Sequence, residues 1–213
     1  MKLTEVYISL DCQRFNAKTR THYAYLSNYL SLFISHWIKR QKLDLGFFNR
    51  IIFEEGEIDD LSLAGDRAFV VCLSEEFFDN GNMIDPQVAH RYFVRKYLEG
   101  FKRFDAKFGL QLAEQLQVVI ENQFSDFLEY EIKAKSKRLG DLSVQVFHQY
   151  KCNSYELIVR IFNKQKDLVK EDVAFMRTPD PISIEYDVDK IEIEEGRLRI
   201  ISSVGEETIM FYL

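Results

Sequence analysis

The chain has 213 residues, 46% of them hydrophobic, with 18 Phe and 11 Tyr against only 9 Gly and 3 Pro. Such a length suits one large domain or two small packed ones, and the aromatic load speaks against disorder, long linkers and glycine-rich phosphate loops. The formal net charge of −6 repels phosphate backbones and argues against general nucleic-acid binding.

The expected elements begin with a strand from Leu3 to Leu10. After a polar loop, Thr19 or Thr21 caps a helix running to about Leu43, with Leu26, Leu30, Phe33, Ile34, Trp37 and Ile38 on one face and Gly46 as its stop. Phe47 to Phe53 and Ala68 to Leu73 follow as two strands, joined by an acidic loop holding Glu54, Glu55, Gly56, Glu57, Asp59 and Asp60. That loop lacks the ordered alternation and terminal glutamate of an EF-hand, so it reads as a polar connection.

Asp85-Pro86 opens a helix, since Asp caps free amides and Pro suits the first turn. Phe93, Tyr97, Phe101, Phe104 and Phe108 recur every three or four positions, and Gly109 ends or kinks the helix. A second helical run carries Leu112, Leu116, Ile120, Phe124, Phe127 and Ile132. It closes on Lys133, Lys135, Lys137 and Arg138, cations that complement a helix C-terminus, with Gly140 as the stop.

From Asp141 the rhythm changes to alternation. About six strands are expected: Leu142–Tyr150, Tyr155–Phe162, Val169–Met176, Ile182–Tyr186, a hairpin of Ile191–Glu194 with Leu198–Ser203 around Glu195-Gly196, and Thr208–Tyr212. Short connections imply antiparallel neighbours. The expected class is α+β: a largely antiparallel sheet, ending in a meander of about six strands, packed on three long helices. The chain reads as a single domain over residues 1–213. If it divides at all, it does so into a mixed helical segment, residues 1–140, and an all-β segment, residues 141–213.

The three cysteines, Cys12, Cys72 and Cys152, cannot all pair and lie in apolar runs. They read as reduced thiols of a cytoplasmic protein. The opening residues lack the apolar stretch of a secretory signal, and no window approaches the roughly 20 apolar residues of a spanning helix, so no membrane partner is expected.

No metal, cofactor or catalytic set emerges. His22, His36, His90 and His148 have no His or Cys at ligand spacing. Neither a P-loop, a dinucleotide fingerprint nor a nucleophile elbow is present. Asp187-Val188-Asp189 has the form of a metal-holding aspartate pair of glycosyltransferases, but those follow a parallel nucleotide-binding sheet, which is not expected here. Glu131 and Lys133 have the spacing of a nuclease site, but within a run read as helix.

Charge is the remaining signal. Residues 141–213 carry 14 acidic and 9 basic side chains, a net of −5, leaving −1 for residues 1–140. The expected function is that of a non-catalytic binding protein presenting an acidic surface to a basic protein partner. Toxin-neutralising immunity proteins have this general character, although no family motif is present. The residues expected to meet the partner are Asp187, Asp189, Glu192, Glu194 and Glu195, then Glu55, Glu57 and Asp59. The alternatives are an enzyme or small-ligand binder with a pocket between helices and sheet, using His148, Tyr150, His90 and Arg91, and an oligomeric scaffold.

Overall fold

The computed structural model describes residues 1–56, 61–64, 67–74, 85–179, 188–194, 197–203 and 207–212. The chain divides into two compact units, Met1–Leu128 and Glu129–Leu213.

Unit 1 opens with β1 (Glu5–Leu10), α1 (Ala17–Gln41) and β2 (Arg50–Glu55), followed by β3 (Leu61–Ala64), β4 (Ala68–Leu73), α2 (Pro86–Phe108) and α3 (Leu112–Gln123). Its sheet has the order β1-β2-β4-β3. The pairs β1–β2 and β2–β4 are parallel, and only β3–β4 is antiparallel. This corrects the expectation of a largely antiparallel sheet. The physical reason is the long connection: a 25-residue helix between β1 and β2 permits the crossover that parallel neighbours require.

The cap of α1 also differs from expectation. Asn16 accepts a hydrogen bond from the Thr19 amide at 2.9 Å, and the helix ends at Lys42, whose φ of 55° is left-handed. Gly46 lies beyond it. At the sheet edge, Ser35 Oγ accepts from Val6 N at 2.9 Å and donates to Val6 O at 3.1 Å. Helix α1 thus occupies backbone groups that β1 would otherwise leave open.

Helix α2 starts as expected, with Asp85 accepting from the Gln87 amide at 2.8 Å. It ends at Gly109, whose φ of +67° needs glycine's freedom. So Gly109 separates two helices and does not bend one. Buried Asp105 caps the next helix, accepting from Ala113 N at 2.8 Å.

The aromatic stripe of α2 is core. Phe93, Tyr97, Phe101 and Phe104 are fully buried. Phe53 packs edge-on to Phe101 and Tyr97, at 5.1 and 5.9 Å, and Phe69 edge-on to Phe104 at 5.9 Å. Gly100 allows this approach, because a Cβ there would stand 2.4 Å from the Phe53 ring.

Unit 2 holds β5 (Glu129–Leu139), β6 (Leu142–Lys151), β7 (Tyr155–Phe162), β8 (Leu168–Arg177), β9 (Lys190–Glu194), β10 (Arg197–Ile201) and β11 (Glu207–Tyr212). Here the expected helix end is overturned: Lys133–Arg138 belong to strand β5, and Gly140 is the β5–β6 hairpin turn. A register shift between Lys133 and Lys135 puts these two lysines on opposite faces and hides the alternation. The six-strand meander is also corrected. Two antiparallel sheets form, β5-β6-β7-β8 and β11-β10-β9. The expected strand Ile182–Tyr186 lies outside the described residues.

Register explains the unit's packing. Val144 faces Ile161, Val146 faces Val159, and Tyr150 faces Tyr155, all buried. On the opposite face Arg160 links all four strands of the β5-β6-β7-β8 sheet, bonding Glu131 at 2.6 Å and Glu171 at 2.5 Å, over the Phe147 ring at 4.6 Å. Lys137 Nζ donates to Ile191 O at 3.1 Å, joining the two sheets.

Replacing Gly100 with Ala drives a methyl into Phe53. We expect a loss of about 1–3 kcal/mol, read as a lower urea midpoint by fluorescence of Trp37, the single tryptophan; an unchanged midpoint would contradict the packing.

Candidate functional site

Strand alternation places Ile51, Phe53 and Glu55 on one face of β2. The first two are ordinary core residues; the third is a carboxylate at the carboxyl end of a parallel strand, with no exposure. In open sheets of this kind that end is where ligands bind. Here the position is filled by protein groups. Glu55 Oε1 accepts from Tyr23 OH of α1 at 2.5 Å and from Tyr92 OH of α2. Lys96 Nζ, equally unexposed, lies 3.7 Å from Glu55 Oε2.

Lys96 continues the network to β4. Its Nζ donates to Ser74 O at 2.7 Å and to Ser74 Oγ at 3.3 Å, and stands 3.5 Å from Glu99. Glu99 in turn accepts from Ser74 N and Oγ at 3.4 and 3.3 Å. Arg103 meets Glu99 at 3.5 Å and donates to Cys72 O at 2.9 Å. Burial, then the charge of Glu55, holds the Tyr23 hydroxyl well above its ordinary range, so it remains a donor. Two acids and two cations are thus satisfied by each other and by the strand ends. Their chemistry is that of a clamp joining β2, β4, α1 and α2.

The outer side of the same helix is open. A groove of about 690 Å³ runs between α2 and α3. Val94, Leu98, Ile120 and Phe124 form an apolar strip in it, with Arg91, Arg95 and Lys102 along the α2 side. Arg91 and Lys102 are exposed and have no side-chain partner among the described residues. They are eleven positions apart, about 16 Å along the helix. Glu121 bonds Gln117 at 2.9 Å. His90 closes one end: its Nδ1 is 2.6 Å from Tyr29 OH, its ring 5.2 Å from Phe124. Burial, then Arg91, lowers its pKa to about 4, so it is neutral at pH 7.

Of the residues expected to meet a partner, Glu55 is enclosed in the clamp and not displayed in a loop. Asp189 is exposed. Glu192 is drawn to Lys190 and, at 3.9 Å, to Arg199, which keeps its carboxyl ionised to lower pH. Glu57, Asp59, Asp187 and Glu195 lie outside the described residues, as does the side chain of Glu194. Of the pocket candidates, His90 and Arg91 meet in the groove. His148 and Tyr150 lie in unit 2, where His148 Nδ1 is 2.6 Å from Tyr155 OH.

Sequence reasoning missed Tyr23, Tyr92 and Lys96. A signal existed: Lys96 sits inside the aromatic stripe of α2, and Glu55 alternates with Ile51 and Phe53, so both charges occupy core positions. Among the described residues no group of His, Cys, Asp and Glu is arranged to hold a metal ion, and no helix is long and apolar enough to cross a membrane. Compared with protein-family models, curated proteins and solved structures, the chain matches none.

Replacing Lys96 with Met strands the Glu55 charge. We expect a loss of about 3–5 kcal/mol, and a smaller loss when Glu55→Gln accompanies it; additive losses in urea unfolding would refute the pairing. Because the folded pKa of His90 lies below its usual 6.5, the unfolded chain takes the proton first. Stability should therefore be full above pH 6.5 and fall as pH drops toward 4. His36 and His148 are lowered by burial as well, so His90→Gln, which keeps a partner for Tyr29, should make the fall in urea midpoints shallower without abolishing it; an unchanged slope would rule His90 out as a contributor.

Proposed function

We propose that the protein is a non-catalytic binding protein whose α2–α3 groove receives an acidic amphipathic helix of a protein partner. The observation that supports this reading is an apolar groove, with buried Ile120 and Phe124 in its floor and half-buried Val94 and Leu98 beside them, next to the exposed Arg91 and Lys102, unpaired among the described residues. A helix laid in the groove would place its apolar anchors on Val94, Leu98, Ile120 and Phe124, in the helix-in-groove mode. Each buried aliphatic anchor contributes about 1.5–3 kcal/mol. Acidic residues on its flanks would meet Arg91 at one end and Lys102 at the other, setting orientation and speeding encounter. The clamp beneath keeps α2 rigid, which lowers the cost of ordering on binding.

A second reading retains the acidic surface for a basic partner, of the kind an immunity protein presents. The exposure of Asp189 and the charge excess of residues 141–213 favour it. It places the partner on unit 2.

One titration tests both readings. A designed helical peptide of about 15 residues, long enough to span the groove, carries leucines on one face and glutamates beside them. It is added to the 15N-labelled chain. We expect amide shifts at Val94, Leu98, Ile120 and Phe124, and binding weakened about tenfold by Arg91→Glu with Lys102→Glu. If a lysine-flanked isomer binds the groove as well as the acidic peptide does, the groove reading fails. Shifts produced by that isomer at Asp189 and Glu192 alone would favour the second.

A further inference from the structure

At one end of the β5-β6-β7-β8 sheet, two turns stand side by side. One is the β5–β6 hairpin at Gly140; the other, between β7 and β8, runs from Asn163 to Asp167. Between them is a cleft of about 530 Å³. We infer that this cleft binds a phosphate monoester of nucleotide size, independently of the helix groove of unit 1.

The sheet register assembles the site. Arg138 pairs with Ser143 across β5–β6, and Ser143 with Phe162 across β6–β7. A guanidinium, a hydroxyl and an aromatic ring therefore share one row on one face. Gln145 lines the cleft from the same face, and Lys164 and Lys166 reach it from the turn. The cations outnumber the acids: Asp141, the one acid lining the cleft, stands 3.5 Å from Lys164, with both side chains largely in solvent at 78% and 74% exposure. Such an exposed pair is weak and readily exchanged. Arg138 and Lys166 have no side-chain partner among the described residues.

Lys166 points to function for a second reason. Its φ is +70°, a left-handed conformation that costs any residue with a Cβ and normally selects glycine or asparagine. The turn is otherwise well made. Asn163 N donates to Asp167 O at 3.0 Å, Lys166 N to Asn163 O at 3.1 Å, and Asp167 N to Asn163 Oδ1 at 2.9 Å. The chain thus places a lysine where glycine would be more stable, as it also does at the end of α1 with Lys42; at Lys166 the strained residue lines the cleft as well.

The chemistry of the lining selects the ligand class. A phosphate monoester carries close to two negative charges and three acceptor oxygens. Arg138 offers a planar fork for two of them, and Lys166 a point charge for the third. Ser143 and Gln145 add neutral donors. The volume exceeds what bare phosphate fills, since each water takes only about 30 Å³. Half-buried Phe162 offers the remaining space to a flat apolar group, as base stacking on aromatics requires.

The test uses the full chain, 15N-labelled, titrated with adenosine monophosphate, inorganic pyrophosphate and adenosine. Adenosine monophosphate should shift the amides of Arg138, Ser143, Gln145 and Lys166, and adenosine alone should not. Arg138→Gln and Lys166→Gly should each weaken binding about tenfold, the loss of one charge-assisted contact. Lys166→Gly should do so while keeping or raising the thermal midpoint, which separates lost binding from lost folding. Equal binding by both variants, or shifts spread over all surface lysines, would overturn the site. Binding of pyrophosphate with none of the nucleotide would overturn the ester.

Discussion

Unit 1 depends on a carboxylate and an ammonium that share a place from which water is excluded. Neither Glu55 nor Lys96 has any exposure, and a lone charge in such a position costs several kcal/mol in effective desolvation. The cost is met only because each group has several partners. Tyr23 and Tyr92 donate to Glu55, and Ser74 receives Lys96. Those partners come from α1, α2 and the end of β4, so satisfying one pair of charges fixes the positions of two helices against two strands. A purely apolar plug of the same volume could be as stable, but it would not specify direction. The hydrogen bonds do so, because each admits one donor and one acceptor in one geometry.

Helix α2 links this clamp to the surface. Its inward side carries Phe93, Lys96, Tyr97, Gly100, Phe101 and Phe104, and its outward side His90, Arg91, Val94, Arg95, Leu98 and Lys102. Glu99 belongs to both, lining the groove while holding Lys96, Ser74 and Arg103. A displacement of α2 by a bound helix would be felt by the buried charges, which tolerate little change of distance. In unit 2 the corresponding constraint is the row register. It places Arg160 between Glu131 and Glu171 and sets Arg138, Ser143 and Phe162 side by side at the hairpin end.

Legibility differed by element for physical reasons. The helix beginning at Asp85-Pro86 and the strands at Ala68–Leu73 and Tyr155–Phe162 were readable because local capping or alternation agrees with the tertiary burial. Residues Glu129–Leu139 misled. Their lysines resemble a helix end, and the register shift after Lys133 breaks the alternation that would mark a strand; only pairing with β6 decides the matter. The parallel order of β1, β2 and β4 was equally hidden, since a strand's composition does not name its neighbour. Glu55 reads from the sequence as a loop acid, because the apolar run that marks the strand stops at Phe53, two residues before the strand's end.

By itself, the sequence determined an α+β chain with an aromatic core, the extent of its clearest helices and strands, and a concentration of negative charge after residue 140. These follow from period, volume and charge, which are local or additive. Tertiary structure alone decided which strands lie side by side, that two oppositely charged core residues meet, and that cations distant in the chain line the same cleft. Those depend on contacts between residues far apart in sequence, whose cost in chain entropy is offset only when the whole unit is assembled.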